Sequence, residues 1–318
     1  MVKVLHAADF HLDSAFGALP EEKARLRRRE SRGIPARLVE WANDHGAQLM
    51  LLAGDLFDSD NLYGQTAQEL ADALGRFRGR VFIAPGNHDF YAAHGPWGAA
   101  AWPENVHIFT SGRPVCVDEP ELGCAVWGAA FTAAEEADGS ALTAVRCPDD
   151  GRTHLMVLHA DLSAPDSRYR PITPAQIGET GLSYLALGHT HAFSGVLHAG
   201  RTTFAYPGCP EGRGFDECGE KGILQIDIDG ETVKAGFIPT AARRYEKLRV
   251  EPGADALAAI RAALPKDTAD DVYKIILTGE SLAAPDLAYL RQALERDFFA
   301  LTFSDETVPP RDLWRRAG

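Results

Sequence analysis

Apolar positions along this 318-residue chain follow two periods. "VKVLHAAD" (Val2–Asp9), "AQLMLLAGD" (Ala47–Asp55) and "RVFIAPGNHD" (Arg80–Asp89) are short apolar runs of strand type. Between them, "IPARLVEWANDHG" (Ile34–Gly46) and "GQTAQELADALGRF" (Gly64–Phe77) place apolar residues at helical spacing. The first of these has Pro near its start and Gly at its end, which marks helix boundaries. Such strand–helix alternation predicts a parallel sheet with helical crossovers. "CAVWGAAF" (Cys124–Phe131), "THLMVLHAD" (Thr153–Asp161) and "LSYLALGHTH" (Leu182–His191) extend the strand pattern. "TTFAYPGCP" and "GILQIDIDG" read as antiparallel strands joined by turns. From about Tyr245 the pattern becomes strand, helix, strand, helix, strand. This sets a domain boundary near Thr240, giving domains 1–240 and 241–318.

The chain is 45% hydrophobic and 24% charged, as ordinary globular proteins are. Its net charge of −13 speaks against a nucleic-acid binder held by a broad basic surface. It leaves room for an enzyme that meets a phosphodiester through bound cations, because acidic ligands themselves add negative charge. The N-terminal apolar run, broken at His6 and Asp9, does not read as a signal peptide, and no apolar stretch approaches membrane length. Five cysteines without a CxxC pair read as reduced thiols, so a cytoplasmic location is expected. The basic run "RLRRRE" (Arg25–Glu30) reads as a solvated helix face in preference to a phosphate contact. His6 is assigned to the core and His45 to a helix end.

The chemistry collects where the strands stop. They end in Asp9 and His11, in Asp55, in "GNHD" (Asn87, His88, Asp89), in His159, and in "GHTH" (His189, His191). Open α/β sheets bind ligands at the carboxyl ends of strands. Any one of these residues could serve a turn, but five such endings in a row exceed what turns need. Seven candidate ligands follow: Asp9, His11, Asp55, Asn87, His159, His189 and His191. Carboxylate, imidazole and amide donors without thiolate suit Mn²⁺, Fe²⁺, Zn²⁺ or Mg²⁺. Seven exceed one tetrahedral ion and fit two. Asp9 and His11 are two apart. They can point together if the backbone leaves strand geometry after Asp9, or if alternate residues share a face.

These endings, in this order, resemble the five motifs of the calcineurin-like metallophosphoesterases over about residues 1–240. The resemblance implies an α/β fold: a two-sheet sandwich flanked by helices. It also implies two divalent ions, manganese foremost. Asp9, His11 and His191 would hold one ion, and Asn87, His159 and His189 the other, with Asp55 bridging. His88 would face the scissile phosphate and stabilise or protonate the leaving group. Asp89 stays open between orienting a neighbour and serving the turn. Tyr91 and His94, with Trp97, could line a substrate groove, although an ordered aromatic loop is the preferred reading.

"HAADFHLDSAFGAL", "LAGDLFDSDN", "APGNHDFY" and "YPGCPEGRGFDECGEKGILQIDI" are further similar to bacterial DNA-repair exonuclease subunits of the SbcD/YhaO type. That narrower resemblance implies a small C-terminal α/β capping domain, DNA as substrate, and metal-dependent exonuclease or endonuclease action. Cys209 stands where a Ser is usual. Such proteins commonly continue into helices that bind a coiled-coil ATPase of the SbcC type, and an end at Gly318 counts against that partner. A homodimer stays open, and no membrane partner is expected. The alternatives are a phosphatase or a cyclic-nucleotide or other small-molecule phosphodiesterase on the same scaffold, or a non-catalytic subunit. The intact ligand set argues against the last.

Overall fold

A computed structural model describes residues 1–58 and 64–310. The end of the "LAGDLFDSDN" stretch (59–61) and the chain end from 311, which bore on the ATPase expectation, lie outside the described residues.

The chain divides into two compact units, one of Met1–Glu211 with Lys221–Thr240, the other of Gly212–Glu220 with Ala241 onward. In the first unit, strands β1 (Val2–Ala7), β2 (Leu49–Leu52), β3 (Arg80–Ile83) and β4 (Val106–Ile108) are parallel neighbours. Helices α1 (Glu21–Arg32), α2 (Ile34–Asp44) and α3 (Gly64–Leu74) lie in their crossovers. A second six-stranded sheet is built from β5 (Val115–Glu119), β6 (Cys124–Ala129), β7 (Thr153–His159), β8 (Tyr184–Gly188), β9 (Leu197–Ala199) and β10 (Thr202–Ala205). Its order is β5-β6-β7-β8-β10-β9. The chain then returns to the first sheet as β11 (Gly222–Asp229) and β12 (Thr232–Pro239), giving the order β12-β11-β1-β2-β3-β4. Both sheets are mixed. β11 runs antiparallel to β1, and β5 and β9 are antiparallel edges.

The period of two along the strands explains the layering. Leu5, Ala7, Met50 and Leu52 face the helices and pack with Ile34, Leu38, Leu70 and Leu74. Val4, Leu49, Leu51 and Phe82 face the other way and pack with Val126, Leu155, Val157 and Ala186 of the second sheet. Strands buried on both faces read as continuous apolar runs, which is why the sequence shows them without alternation.

Two expectations are corrected. "TTFA" and "GILQIDID" are not partners. The first, β10, pairs with β8 and β9, while β11 pairs with β1 and β12 in the other sheet. The long "YPGCPEGRGFDECGEK" connection carries the chain between sheets, and a pattern of apolar residues cannot say which sheet a strand joins. The basic run is not simply a solvated face either. Arg27 is fully buried and forms ion pairs with Glu211 at 2.7 Å and Glu30 at 2.8 Å. Arg25 and Arg28 both pair with Glu21.

The second unit has three parallel strands, β13 (Tyr245–Val250), β14 (Val272–Leu277) and β15 (Ala300–Asp305), with helices α4 (Ala256–Ala263) and α5 (Leu287–Leu294). Val250, Ile260, Ile275, Leu290 and Leu294 form its core. The Gly212–Glu220 segment packs within this unit: the Phe215 ring meets Tyr245 edge-on at 5.3 Å, and Gly219 donates to the Tyr245 carbonyl at 3.1 Å. Among the described residues no helix is long and apolar enough to cross a membrane.

His45 caps α2 and stacks on Trp41. His6 on β1 is fully buried and bridges the sheets. Its Nδ1 lies 2.8 Å from the Tyr184 hydroxyl and its Nε2 3.1 Å from the Leu187 carbonyl. The carbonyl can only accept, so Nε2 carries the proton and the ring is neutral. Burial pushes its pKa down to about 3, against the pull of the Leu187 carbonyl. A group that charges only on unfolding supplies stability above its unfolded pKa near 6.5, and that stability is lost as pH falls towards 3. We expect urea unfolding of His6→Gln to lose less stability on acidification from pH 6.5 to 5 than the parent, by up to about 1.4 kcal/mol per pH unit. Parallel stability–pH curves for the two proteins would exclude this role.

Candidate metal centre

All seven predicted ligand positions lie at or just beyond strand ends of the first unit: Asp9 and His11 after β1, Asp55 after β2, Asn87 after β3, His159 closing β7, His189 and His191 after β8. The strand ends of the two sheets are tied by polar contacts. His159 Nδ1 lies 2.8 Å from the Ala53 carbonyl, and the His189 backbone N–H donates to both Asp9 carboxylate oxygens at 3.1 and 3.2 Å.

The backbone does leave strand geometry after β1. Asp9, His11, Asp55 and His189 all have positive φ (56, 44, 49 and 115°). Non-glycine residues held there cost of order 1–3 kcal/mol each and cluster at functional sites. The turns bring Asp9 and His11 into one cluster despite their spacing, since β1 ends at Ala7. Gly86 is required for a different reason. A Cβ there would stand 2.2 Å from Asp55 Oδ1.

Three groups of side chains each place their donor atoms within 4.8 Å of one another: Asp9, His11 and His191; Asp9, Asp55 and His159; and His11, Asp58 and His88. His11 Nε2 faces His191 Nε2 at 3.2 Å. Asp55 Oδ2 lies 3.7 Å from His11 Nε2 and 3.4 Å from His159 Nε2, between two of the groups. His159 Nε2 is 3.0 Å from Asn87 Oδ1. Because Nδ1 of His159 donates to a carbonyl, the Nε2 lone pair is left facing Asp55 and Asn87, the tautomer that metal-binding imidazoles adopt. His189 joins none of the three groups. Its ring packs against His159 at 5.3 Å, and its Nε2 is 3.7 Å from Asp161 Oδ2.

Electrostatics set the protonation states. Burial would raise the Asp55 carboxyl, but the imidazoles of His159, His11 and His88 and the His88 N–H outweigh it and hold it below the usual range. Burial pushes His159 down to about 4, opposed by Asp55. His189 is lowered by burial too, opposed by Asp161 and Asp55. The ionised Asp55 carboxylate beside the neutral His159 and His189 imidazoles, with oxygen and nitrogen donors only around them, belongs to a donor set that fits divalent cations.

Asp89 resolves as an organiser. It is fully buried, and its carboxylate accepts from the N–H groups of Gly86 (2.7 Å), Leu56 (2.7 Å), Phe57 (3.2 Å) and Asp55 (3.3 Å). Burial and the nearby Asp55 charge push its pKa up, to about 7, against the Gly86, Phe57 and Leu56 N–H groups. His88 is exposed, with Nδ1 3.0 Å from the Asp58 carbonyl. It borders a shallow cavity of about 380 Å³ with Asn87, Asp58, Phe90, Glu135 and Tyr169. Tyr91 and His94 are not among the residues lining it. Tyr91 is half-buried against the helix-side core, and His94 is exposed on the following loop.

Sequence reasoning passed over Asp58, Asp161, Phe90 and Tyr169. Asp58 and Asp161 carried a signal, each being a carboxylate within three residues of a candidate ligand. Phe90 and Tyr169 carried none.

Removing the Asp89 carboxylate would strand four buried N–H groups, each costing about 1–3 kcal/mol if unpaired. Asp89→Ala is expected to lose at least about 3 kcal/mol in urea unfolding, with lower metal content in the folded fraction. An unchanged midpoint would show that these amides find other partners.

A model of the calcineurin-like phosphoesterase family matches residues 2–193. The chain is 31% identical over 258 residues to the uncharacterized metallophosphoesterase YhaO of Bacillus subtilis (strain 168). That alignment covers 78% of this chain but 62% of the relative, so the chain spans less than two thirds of its length. With the matched region holding β1 to β8 and every one of the seven ligand-type residues, the chain belongs to the calcineurin-like metallophosphoesterases.

Proposed function

We propose that the chain is a two-metal phosphodiesterase that cuts DNA, an exonuclease or endonuclease of the SbcD type working with Mn²⁺. Metal-dependent phosphoester hydrolysis follows from the family. The observation that carries the two-ion reading is Asp55 Oδ2, set between His11 and His159 of separate donor groups. DNA as substrate is supported by the resemblance of the "LAGDLFDSDN" and "YPGCPEGRGFDECGEKGILQIDI" stretches to DNA-repair exonucleases. The second unit is proposed as the capping domain of such an enzyme.

In this reading Asp9, His11 and His191 would hold one ion and Asn87, His159 and His189 the other, with Asp55 shared between them. Bound there, two such ions neutralise a phosphoryl group and make hydroxide available near neutral pH. The protein's own part is orientation and proton delivery. Asp89 fixes the loops that carry Asp55 and Asn87. His88 donates its Nδ1–H to the Asp58 carbonyl, which leaves Nε2 as the free ring nitrogen; in the imidazolium form Nε2 also carries a proton, the one it could give to the departing oxygen. Phe90 and Tyr169 border the same cavity and offer apolar surface to what lies beyond the phosphate.

A small-molecule ester is the second reading, favoured by the net charge of −13 and by Glu135 and Asp58 on the cavity rim. Side-by-side assay with Mn²⁺ of end-labelled DNA, a nitrophenyl phosphodiester and a monoester decides between them. DNA should be cut at the highest kcat/KM, and a preference for the monoester would overturn the nuclease reading.

Asp55→Ala should lose most of the bound metal, whereas His88→Ala should keep it. For His88→Ala we expect turnover on DNA to fall by about 10²–10⁴, the usual worth of general acid–base help. The loss should be smaller on a nitrophenyl ester, whose leaving group needs little protonation. Retained metal with near-normal turnover would remove His88 from the chemistry.

A further inference from the structure

Lys221 is the one residue of the "YPGCPEGRGFDECGEKG" connection whose ammonium reaches the candidate metal centre's backbone. It is 6% exposed, and its Nζ donates to the His191 carbonyl at 2.9 Å. Among the described residues it forms no ion pair. A buried ammonium without a carboxylate is costly and is retained only where its charge or its donors are used.

The surroundings of the His191 carbonyl are built to the same end. The Cys209 N–H also donates to it, at 3.3 Å. Gly208, at φ 81°, passes so close that a Cβ would stand 3.0 Å from that oxygen. Cys209 is held in turn by Gly222, whose N–H donates to the Cys209 carbonyl at 3.2 Å. Gly222 opens β11, and β11 is the strand that pairs with β1, leading to Asp9 and His11. Lys221 itself is anchored by its carbonyl, which accepts from the Thr240 N–H at 3.0 Å. The side chain being oriented needs this support. The His191 ring is about one-third exposed, and its Nε2 must reach His11 Nε2 at 3.2 Å and Asp9 Oδ1 at 3.8 Å.

We propose that Lys221 is a positioning residue that, through the His191 carbonyl, sets the His191 imidazole against Asp9 and His11 and so tunes one of the two metal positions. The inference rests on the two-ion reading above. It gives the "KG" of the connection a physical role: the ammonium supplies a strong donor from a strand already fixed to β1. Loss of an outer partner of a metal ligand typically weakens metal binding 10–100-fold. The effect here falls on the Asp9–His11–His191 position and spares the one built on Asn87 and His159.

The test titrates Mn²⁺ into the metal-stripped full chain by calorimetry, for the parent, Lys221→Met, Lys221→Arg, Lys221→Gln, His191→Ala and the His191→Ala/Lys221→Met double variant. The parent should show two binding events. Lys221→Met should weaken one by about 10–100-fold and leave the other within twofold. Lys221→Arg, which keeps charge and donor, should restore most of the loss. The double variant should bind Mn²⁺ no more weakly than His191→Ala alone, because Lys221 acts through His191. Two unchanged affinities in Lys221→Met, or equal weakening of both sites, would overturn the inference while leaving the two-ion reading in place. A parent that binds no Mn²⁺ would overturn both. Should Lys221→Met not fold, as judged by circular dichroism, Lys221→Gln is read by the same criteria.

Discussion

The grip of four backbone N–H groups on the Asp89 carboxylate is the constraint on which the rest of the centre depends. Those donors come from the loops after β2 and β3, so one buried side chain fixes where Asp55, Asn87 and His88 stand. Gly86 lets the two loops touch. With the β2 and β3 ends locked, the second sheet need deliver only imidazoles. It does so from β7 and β8, whose ends are joined to the first sheet through Ala53 and Asp9.

This arrangement trades stability for geometry. Four left-handed non-glycine residues and the buried carboxylates and imidazoles beside them are each unfavourable taken alone. Ordinary core packing carries that burden: the layer between the sheets and the helix-side layer are continuous and almost wholly excluded from solvent. Cations bound at the centre would offset part of it, because each neutralises carboxylates that otherwise repel. The rigid frame and its charged interior are thus two halves of one design, in which Val4 and Leu51 stabilise what Asp9 and Asp55 oppose.

Much of this was legible beforehand, for a reason specific to strands ending in chemistry. A doubly buried strand is a run of Val, Leu, Ile and Ala, and its abrupt end on Asp, Asn or His stands out against it. The seven ligand-type residues could be read in that way, while His6 was legible from its place inside an apolar strand and His45 from its place at the end of a helical pattern. Legibility failed where a residue acts by contact distant in sequence. Nothing near Asp89 announces that its partners are the amides of 55–57, and nothing near Arg27 announces Glu211. The transfer of the chain between sheets after β10 was equally hidden, because an apolar run fixes a strand but not its neighbour. Phe90 and Tyr169 line a cavity that exists only once residues far apart in sequence are brought together.

The pairing of β1 with β11 has a consequence in time. Val2 finds its partner at Ile228, so one edge of the first strand stays open long after β2 has been made to cover the other. At about 5–20 residues per second, that edge waits on the order of ten to fifty seconds for its neighbour to be synthesised. Donors drawn from Asp9 through His191 cannot all gather until His191 has been made. A nascent chain therefore displays its aspartates and histidines one at a time, each a poor trap for a stray cation. Selection among the cell's metals falls to the completed frame, whose geometry can discriminate as a loose segment cannot.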